Sequence, residues 1–257
     1  MTVPDIRLVP LATGGGGLPF VLGPSLGTRV ARVWDGVRPL LADRHPLFGW
    51  DLPGHGVSPA ATSGFTVDEI AEGVLRAVDD VGLGRFAVAG ISLGGLVSLA
   101  LGLRAPERIV ATTMICSLPR LGTAEGWAER AASVRASGTP SLVQGSASRW
   151  FAPGFIDASP TVASPLLSDL MDVDDESYAL CNEALGAADY RARVRDLAMP
   201  LTVIAGELDP VLTLAAAEET AAAARTGSFH VIAGASHLAP VEKPAEVAAI
   251  LLSEVPL

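Results

Sequence analysis

The sequence predicts an α/β fold in which a mostly parallel central sheet is flanked by helices and interrupted by an inserted helical cap. Three observations carry this reading. Short apolar runs alternate with stretches of helical period over most of the 257 residues, the rhythm of strands joined by crossover helices. That rhythm stops between about Leu118 and Leu197, where Pro and Gly punctuate helix-rich sequence without a strong strand. One apolar run, at 86–90, ends almost at once in a serine set between glycines, and a new helical stretch follows directly.

Apolar runs bounded by turn residues predict strands at 6–11, 18–22, 46–50, 86–90, 109–115, 201–205 and 229–232. Helical periodicity predicts helices at 29–41, 67–81, 93–104, 213–224 and 244–252. A long stretch outside the core rhythm is more often a lid than a plain connection. Inserted at this point, it would lie over the carboxyl ends of the strands, where open α/β sheets place their ligands. The expected organisation is therefore a core of residues 1–117 and 198–257 with a helical cap at 118–197.

Composition narrows the function. The chain is 49% hydrophobic and 18% charged, as in soluble globular proteins. No run approaches the length of a membrane span, and Met1–Arg7 lacks the basic head and apolar stretch of a secretory signal. The two cysteines, Cys116 and Cys181, lack metal-ligand spacing and read as buried thiols of a reducing compartment. A cytoplasmic location is expected. A net charge of −10 argues against nucleic acid as a partner, while one or two local arginines could still bind a small carboxylate.

Function is carried by Gly90-Ile91-Ser92-Leu93-Gly94, which joins a strand to a helix. Glycines on either side relieve crowding in a strained turn that holds Ser92 at its tip with the hydroxyl exposed. A serine needs a base, and four histidines compete for that role. His237, in a loop between the last strand and the final helix, fits best. His55 lies in a Gly/Pro-rich turn, and His45 and His230 border or occupy strands, where histidines are usually structural. The base needs a carboxylate to fix its tautomer. Asp209 follows a strand and precedes a helix, whereas its rival Glu207 sits closer to the strand end. The order Ser92, Asp209, His237 is that of the α/β-hydrolase fold.

An oxyanion hole needs two backbone N–H groups. Leu93 should supply one. Leu26, in Gly23-Pro24-Ser25-Leu26-Gly27, should supply the other, with Ser25 as the near alternative and an expected substrate contact. Gly82–Ala87 fits a dinucleotide fingerprint only formally, because it precedes a strand. Gly14–Gly17 lacks the Lys-Ser/Thr of a phosphate loop, and no metal motif is present.

Several segments together resemble the 3-oxoadipate enol-lactonases of aromatic-compound catabolism, over nearly the whole chain. They are Ser25-Leu26-Gly27-Thr28, Trp50–Gly56, Gly90–Gly95, Arg149–Phe155 and Tyr178–Leu185. The first and the Arg149-Trp150-Phe151 segment are the more specific. The resemblance implies a serine hydrolase that opens a carboxylate-bearing lactone through an acyl-enzyme on Ser92, without metal or cofactor. Arg149 would bind the carboxylate and Trp150 would wall the pocket. Rival readings are a related carboxylesterase or lactonase, a cofactor-free haloperoxidase or perhydrolase, and a small-molecule receptor on the hydrolase fold.

Overall fold

The computed structural model describes residues 2–255. Its sheet contains β1 (Leu8–Ala12), β2 (Phe20–Gly23), β3 (Leu47–Trp50), β4 (Phe86–Ile91), β5 (Ile109–Ile115), β6 (Leu201–Gly206) and β7 (Gly227–Ile232). They lie in the order β1-β3-β2-β4-β5-β6-β7. Only β1 runs antiparallel to its neighbour, and every other pairing is parallel. β2, β4 and β6 are buried along their whole length, which is why they read as unbroken apolar runs instead of alternating ones. The first two strands each begin two residues later than the apolar pattern suggests. Apolar pattern reports burial, and Ile6 is buried although it stands outside the β1 ladder.

The helix expected over 29–41 is two short ones, α1 (Val30–Val33) and α2 (Arg38–Leu41). Pro39 has no N–H to continue a helix, and its ring would strike the carbonyl four residues back. Trp34, at the break, donates its indole N–H to the Gly23 carbonyl at 3.0 Å, tying this turn to the end of β2. The crossover helices α3 (Val67–Asp80) and α4 (Leu93–Arg104) follow expectation. α3 begins in a capping box, with Glu69 N–H on Thr66 Oγ1 at 3.1 Å and Thr66 N–H on Glu69 Oε2 at 2.8 Å.

Between β5 and β6 the chain forms α5 (Ala124–Ser137), α6 (Val143–Trp150), α7 (Phe155–Ala158), α8 (Pro160–Met171) and α9 (Asp175–Ala187), with no strand. The core then resumes with α10 (Leu214–Ala223), α11 (Ala239–Glu242) and α12 (Pro244–Glu254). α11 leaves no periodic signal because it is a single turn.

The β4–α4 junction sets the geometry of everything above it. Ser92 is a non-glycine residue at φ 56° and ψ −118°, outside the regions open to ordinary side chains. The turn is so tight that a Cβ on Gly90 would lie 2.1 Å from the Gly94 carbonyl oxygen. Gly90→Ala therefore forces backbone against backbone, and we expect a loss of about 3 kcal/mol. Thermal denaturation should show a midpoint lower by about 6–12 °C; an unchanged midpoint would mean that the elbow can relax.

Candidate active site

The loops that hold the candidate residues all leave the carboxyl ends of parallel strands. The loop after β2 carries Ser25 and Leu26, and Ser92 follows β4. Cys116 follows β5, Asp209 lies beyond β6, and His237 lies beyond β7. The chain leaves β2 toward β3 on one side and β4 lies on the other, so the crevice opens where strand order reverses.

His237 Nδ1 lies 2.9 Å from Asp209 Oδ2, and both residues are buried. The other carboxylate oxygen of Asp209 accepts the Val211 N–H at 2.8 Å. The rival Glu207 instead accepts the Gly234 N–H at 2.8 Å and holds the turn that leads to His237. With Nδ1 donating to Asp209, the remaining ring nitrogen of His237 is left as a base. Ser92 and His237 share the wall of a pocket of about 380 Å³. The Ser92 N–H donates to the Ile115 carbonyl at 2.9 Å, and the Ser117 hydroxyl donates to the Ser92 carbonyl at 2.7 Å.

Leu93 directly follows Ser92 and opens α4, while Leu26 lies in the loop after β2. Among the described residues neither backbone N–H has a protein acceptor, while the neighbouring Gly94 N–H is taken by the Pro24 carbonyl at 3.1 Å. That bond ties the loop after β2 to the elbow. Ser25 and Leu26 both line the pocket. Such an arrangement could deprotonate a hydroxyl, attack an acyl carbon and hold the resulting oxyanion.

Arg149 and Trp150, at the end of α6, also reach this pocket, as does Tyr178 of α9. Burial lowers the pKa of Arg149, and the charge of Arg130 lowers it further. Arg130 of α5 was not singled out by the sequence. It donates to the Tyr178 hydroxyl at 2.8 Å, and its buried Nε has no partner among the described residues. Neither arginine is paired with a carboxylate there, and no Asp or Glu lines the pocket. The one available signal was helical spacing, since Trp127 and Arg130 lie three residues apart on α5 and both face the pocket.

Three further residues support the site. His55 is buried; its Nδ1–H donates to the Pro53 carbonyl at 2.8 Å and its Nε2 accepts the Gly27 N–H at 3.1 Å. The turn histidine is structural, as its setting suggested, and the segment it holds is the Ser25–Thr28 loop. Glu242 of α11 accepts the Ser236 N–H at 2.6 Å and the Ala152 N–H at 2.7 Å, joining the His237 loop to the chain after α6. Cys116 is buried beside Asp209, and burial raises its thiol pKa well above the usual range, with the charge of Asp209 adding to the effect. The protonated Sγ lies 3.6 Å from the Ser236 carbonyl as a donor.

Residues 14–250 match the alpha/beta hydrolase family. The chain is 32% identical over 245 residues to 3-oxoadipate enol-lactonase 2 of Acinetobacter baylyi, covering 95% of this chain and 91% of that protein. It is 32% identical over 225 residues to 3-oxoadipate enol-lactonase 1 of the same organism, covering 88% and 84% respectively. Among solved structures, the enol-lactonase from Burkholderia xenovorans LB400 superposes with a TM-score of 0.89 at 28% identity, covering 96% of this chain and 94% of that one.

Burial lowers the pKa of His55 to about 4 from an ordinary 6.5, so the folded state keeps the ring neutral. Between those values the unfolded chain binds the extra proton, and stability falls as pH falls. The full effect is about 3 kcal/mol, present above pH 6.5 and lost by pH 4. Urea denaturation across that range should show this slope in the wild type and lose it in His55→Gln. Parallel profiles for the two proteins would contradict it.

Proposed function

Because the chain belongs to the alpha/beta hydrolase family and, within it, to the 3-oxoadipate enol-lactonases, we propose that this ester hydrolase opens the ring of 3-oxoadipate enol-lactone to 3-oxoadipate through an acyl-enzyme on Ser92. The observation that carries the proposal is the shared pocket. Ser92 faces it beside the Asp209–His237 pair, and two arginines without carboxylate partners line the same walls. A serine base system asks for an acyl substrate, and unpaired guanidiniums ask for an anionic one.

In the proposed reaction His237 takes the Ser92 proton as Oγ attacks the lactone carbonyl. Proton transfer needs Ser92 Oγ within hydrogen-bond reach of His237, a contact that tightens as substrate binds. The N–H groups of Leu26 and Leu93 hold the oxyanion. Collapse of the tetrahedral intermediate breaks the ring C–O bond and expels an enolate, a better leaving group than an alkoxide. The enolate takes the proton from His237 to become the enol and leaves the imidazole free as a base. Ketonisation of the freed enol then removes the group that could reclose the ring. His237 next activates water, which cleaves the acyl-enzyme and returns Ser92. The same arginines would hold the substrate's carboxylate, Arg149 first among them, with Trp150 as the apolar wall and Ser25 at the edge. Residues 118–197 act as the cap over this reaction. The buried, unpaired thiols of Cys116 and Cys181 suit a cytoplasmic enzyme.

A direct assay on 3-oxoadipate enol-lactone beside neutral aryl esters tests the substrate. Turnover of the lactone at no better kcat/KM than the esters would move the protein to general esterase. Ser92→Ala should abolish hydrolysis with folding intact, and Asp209→Asn should lower kcat by about 10⁴-fold through the wrong histidine tautomer. Substantial turnover by the serine variant would overturn its role. Arg149→Ala should raise KM for the carboxylate-bearing lactone by at least ~10-fold more than for a neutral ester. Equal effects on both substrates would remove Arg149 from the carboxylate site.

A further inference from the structure

Helix α8 presents an aspartate to the core where an apolar side chain would be expected. Asp169 is buried on the inner face of α8 between Leu166 and Leu170. Its Oδ2 lies 2.7 Å from Arg32 Nε and its Oδ1 lies 3.2 Å from Arg29 Nε. The outer side of Arg29 is held by Asp172 at 3.1 Å. The two arginines are half-exposed while the Asp169 side chain is only 4% exposed, so the carboxylate has been taken out of water to meet them. Arg29 is the N-cap of α1 and Arg32 lies within it. α1 is the first element after the loop that carries Ser25 and Leu26.

The next residue on α8 touches that loop directly. Gly27 has φ +86°, and a Cβ there would lie 2.7 Å from Leu170 Cδ1. Leu170 therefore rests on the backbone one residue beyond Leu26. From the core side the same segment is held by two bonds, and a third closes a turn within it. His55 accepts the Gly27 N–H at 3.1 Å, Asp51 accepts the Val30 N–H at 2.7 Å, and the Ser25 carbonyl accepts the Thr28 N–H at 3.1 Å. The loop is thus gripped from below by the core and from above by two adjacent residues of α8.

We propose that Asp169 is a positioning residue for the oxyanion loop. By holding Arg29 and Arg32 it seats α8 on Gly27, and the Leu26 N–H stands in its working position only while the cap is closed on the core. This rests on the assignment of Leu26 as an oxyanion donor in the reading above. Its consequence is that cap closure and completion of the oxyanion hole are one event. With the cap lifted, Gly27 loses Leu170 together with the Trp150 and Tyr178 rings, which lie 3.3 and 3.4 Å from the same Cβ position, and the donor loses its aim, whatever occupies the carboxylate end of the pocket.

The test uses the full chain with phenyl acetate, a neutral ester that makes no use of the pocket arginines. It also uses an alkylboronic acid, which adds reversibly to the Ser92 oxygen as the serine proton passes to His237. Asp169→Asn should lower kcat about 10- to 100-fold, the scale of a displaced oxyanion donor. KM should change by less than about threefold, and boronate affinity should fall in step with kcat/KM. Asp169→Glu should recover most of both. If Asp169→Asn does not fold, Arg32→Gln, which keeps the Arg29 contact, is read by the same rule. A lower thermal midpoint with wild-type kcat and boronate affinity would make the cluster a mere staple and overturn the proposal. A wild-type protein that neither hydrolyses the ester nor binds the boronate would overturn the Ser92 reading itself, a separate outcome.

Discussion

Strand β4 must pass into helix α4 at a single residue, and the strain of that passage organises the rest of the molecule. Ser92 sits at φ 56°, a conformation that costs on the order of 1–3 kcal/mol for a residue with a side chain. It persists because neighbours over-determine it. The Ser92 N–H bonds to the Ile115 carbonyl at the end of β5, and parallel pairing of Ile91 with Ile115 keeps that acceptor in place. One strand over, the pattern repeats. Cys116 is also at positive φ, 49°, and its N–H bonds to the Ile204 carbonyl of β6 at 2.7 Å. Strained strand ends are thus stitched sideways across the sheet toward Asp209, and the serine's position is inseparable from the register of β4, β5 and β6.

The chemistry these strand ends can support depends on how dry they are. Asp209 and His237 are both buried, so their hydrogen bond acts in a medium where electrostatics are stronger than in water. The Asp209 carboxylate also accepts the Val211 N–H and has the Cys116 thiol beside it, and no guanidinium or ammonium pairs with it among the described residues. Its charge is therefore available to an imidazolium forming on His237. Across the pocket the balance is reversed, with two guanidiniums and no carboxylate. Under the proposed function an anionic acyl substrate would bridge the two ends, its charge at the arginines and its reacting carbonyl at Ser92.

How much of this was legible in the sequence follows from how each residue is positioned. Ser92, Asp209 and His237 each stand just past an apolar strand, so local pattern and chain order suffice to single them out. The expectation that Leu26 and Leu93 act together rests on the same pattern, since both follow strand ends, and Leu26 does line the pocket. Arg130, Glu242 and Asp169 were not legible. Each lies on a helix whose polar residues look like an ordinary solvated face, and only tertiary packing turns that face inward. His55 read correctly as a structural turn residue, but its partner Gly27 is 28 positions away, and no local signal names it. The break over 34–37, just ahead of Pro39, was available from composition, yet apolar periodicity continued through it and masked the interruption.

The end of α6 also holds the His237 loop through its backbone. The Leu238 N–H bonds to the Trp150 carbonyl at 3.0 Å, and the Ser236 hydroxyl bonds to the Arg149 carbonyl at 3.2 Å. Arg149 and Trp150 therefore act twice, their side chains facing the pocket while their carbonyls brace the residues on either side of His237. Glu242 closes the same junction from α11 by binding Ser236 and Ala152 together. This division of labour separates two kinds of change. Side chains at these positions can be replaced to suit another substrate while the brace remains, because the carbonyls do not depend on them. An insertion or a proline that shifts the last turn of α6 would move the His237 loop with it, and under the proposed function activity would fall even though Ser92, Asp209 and His237 were all still present.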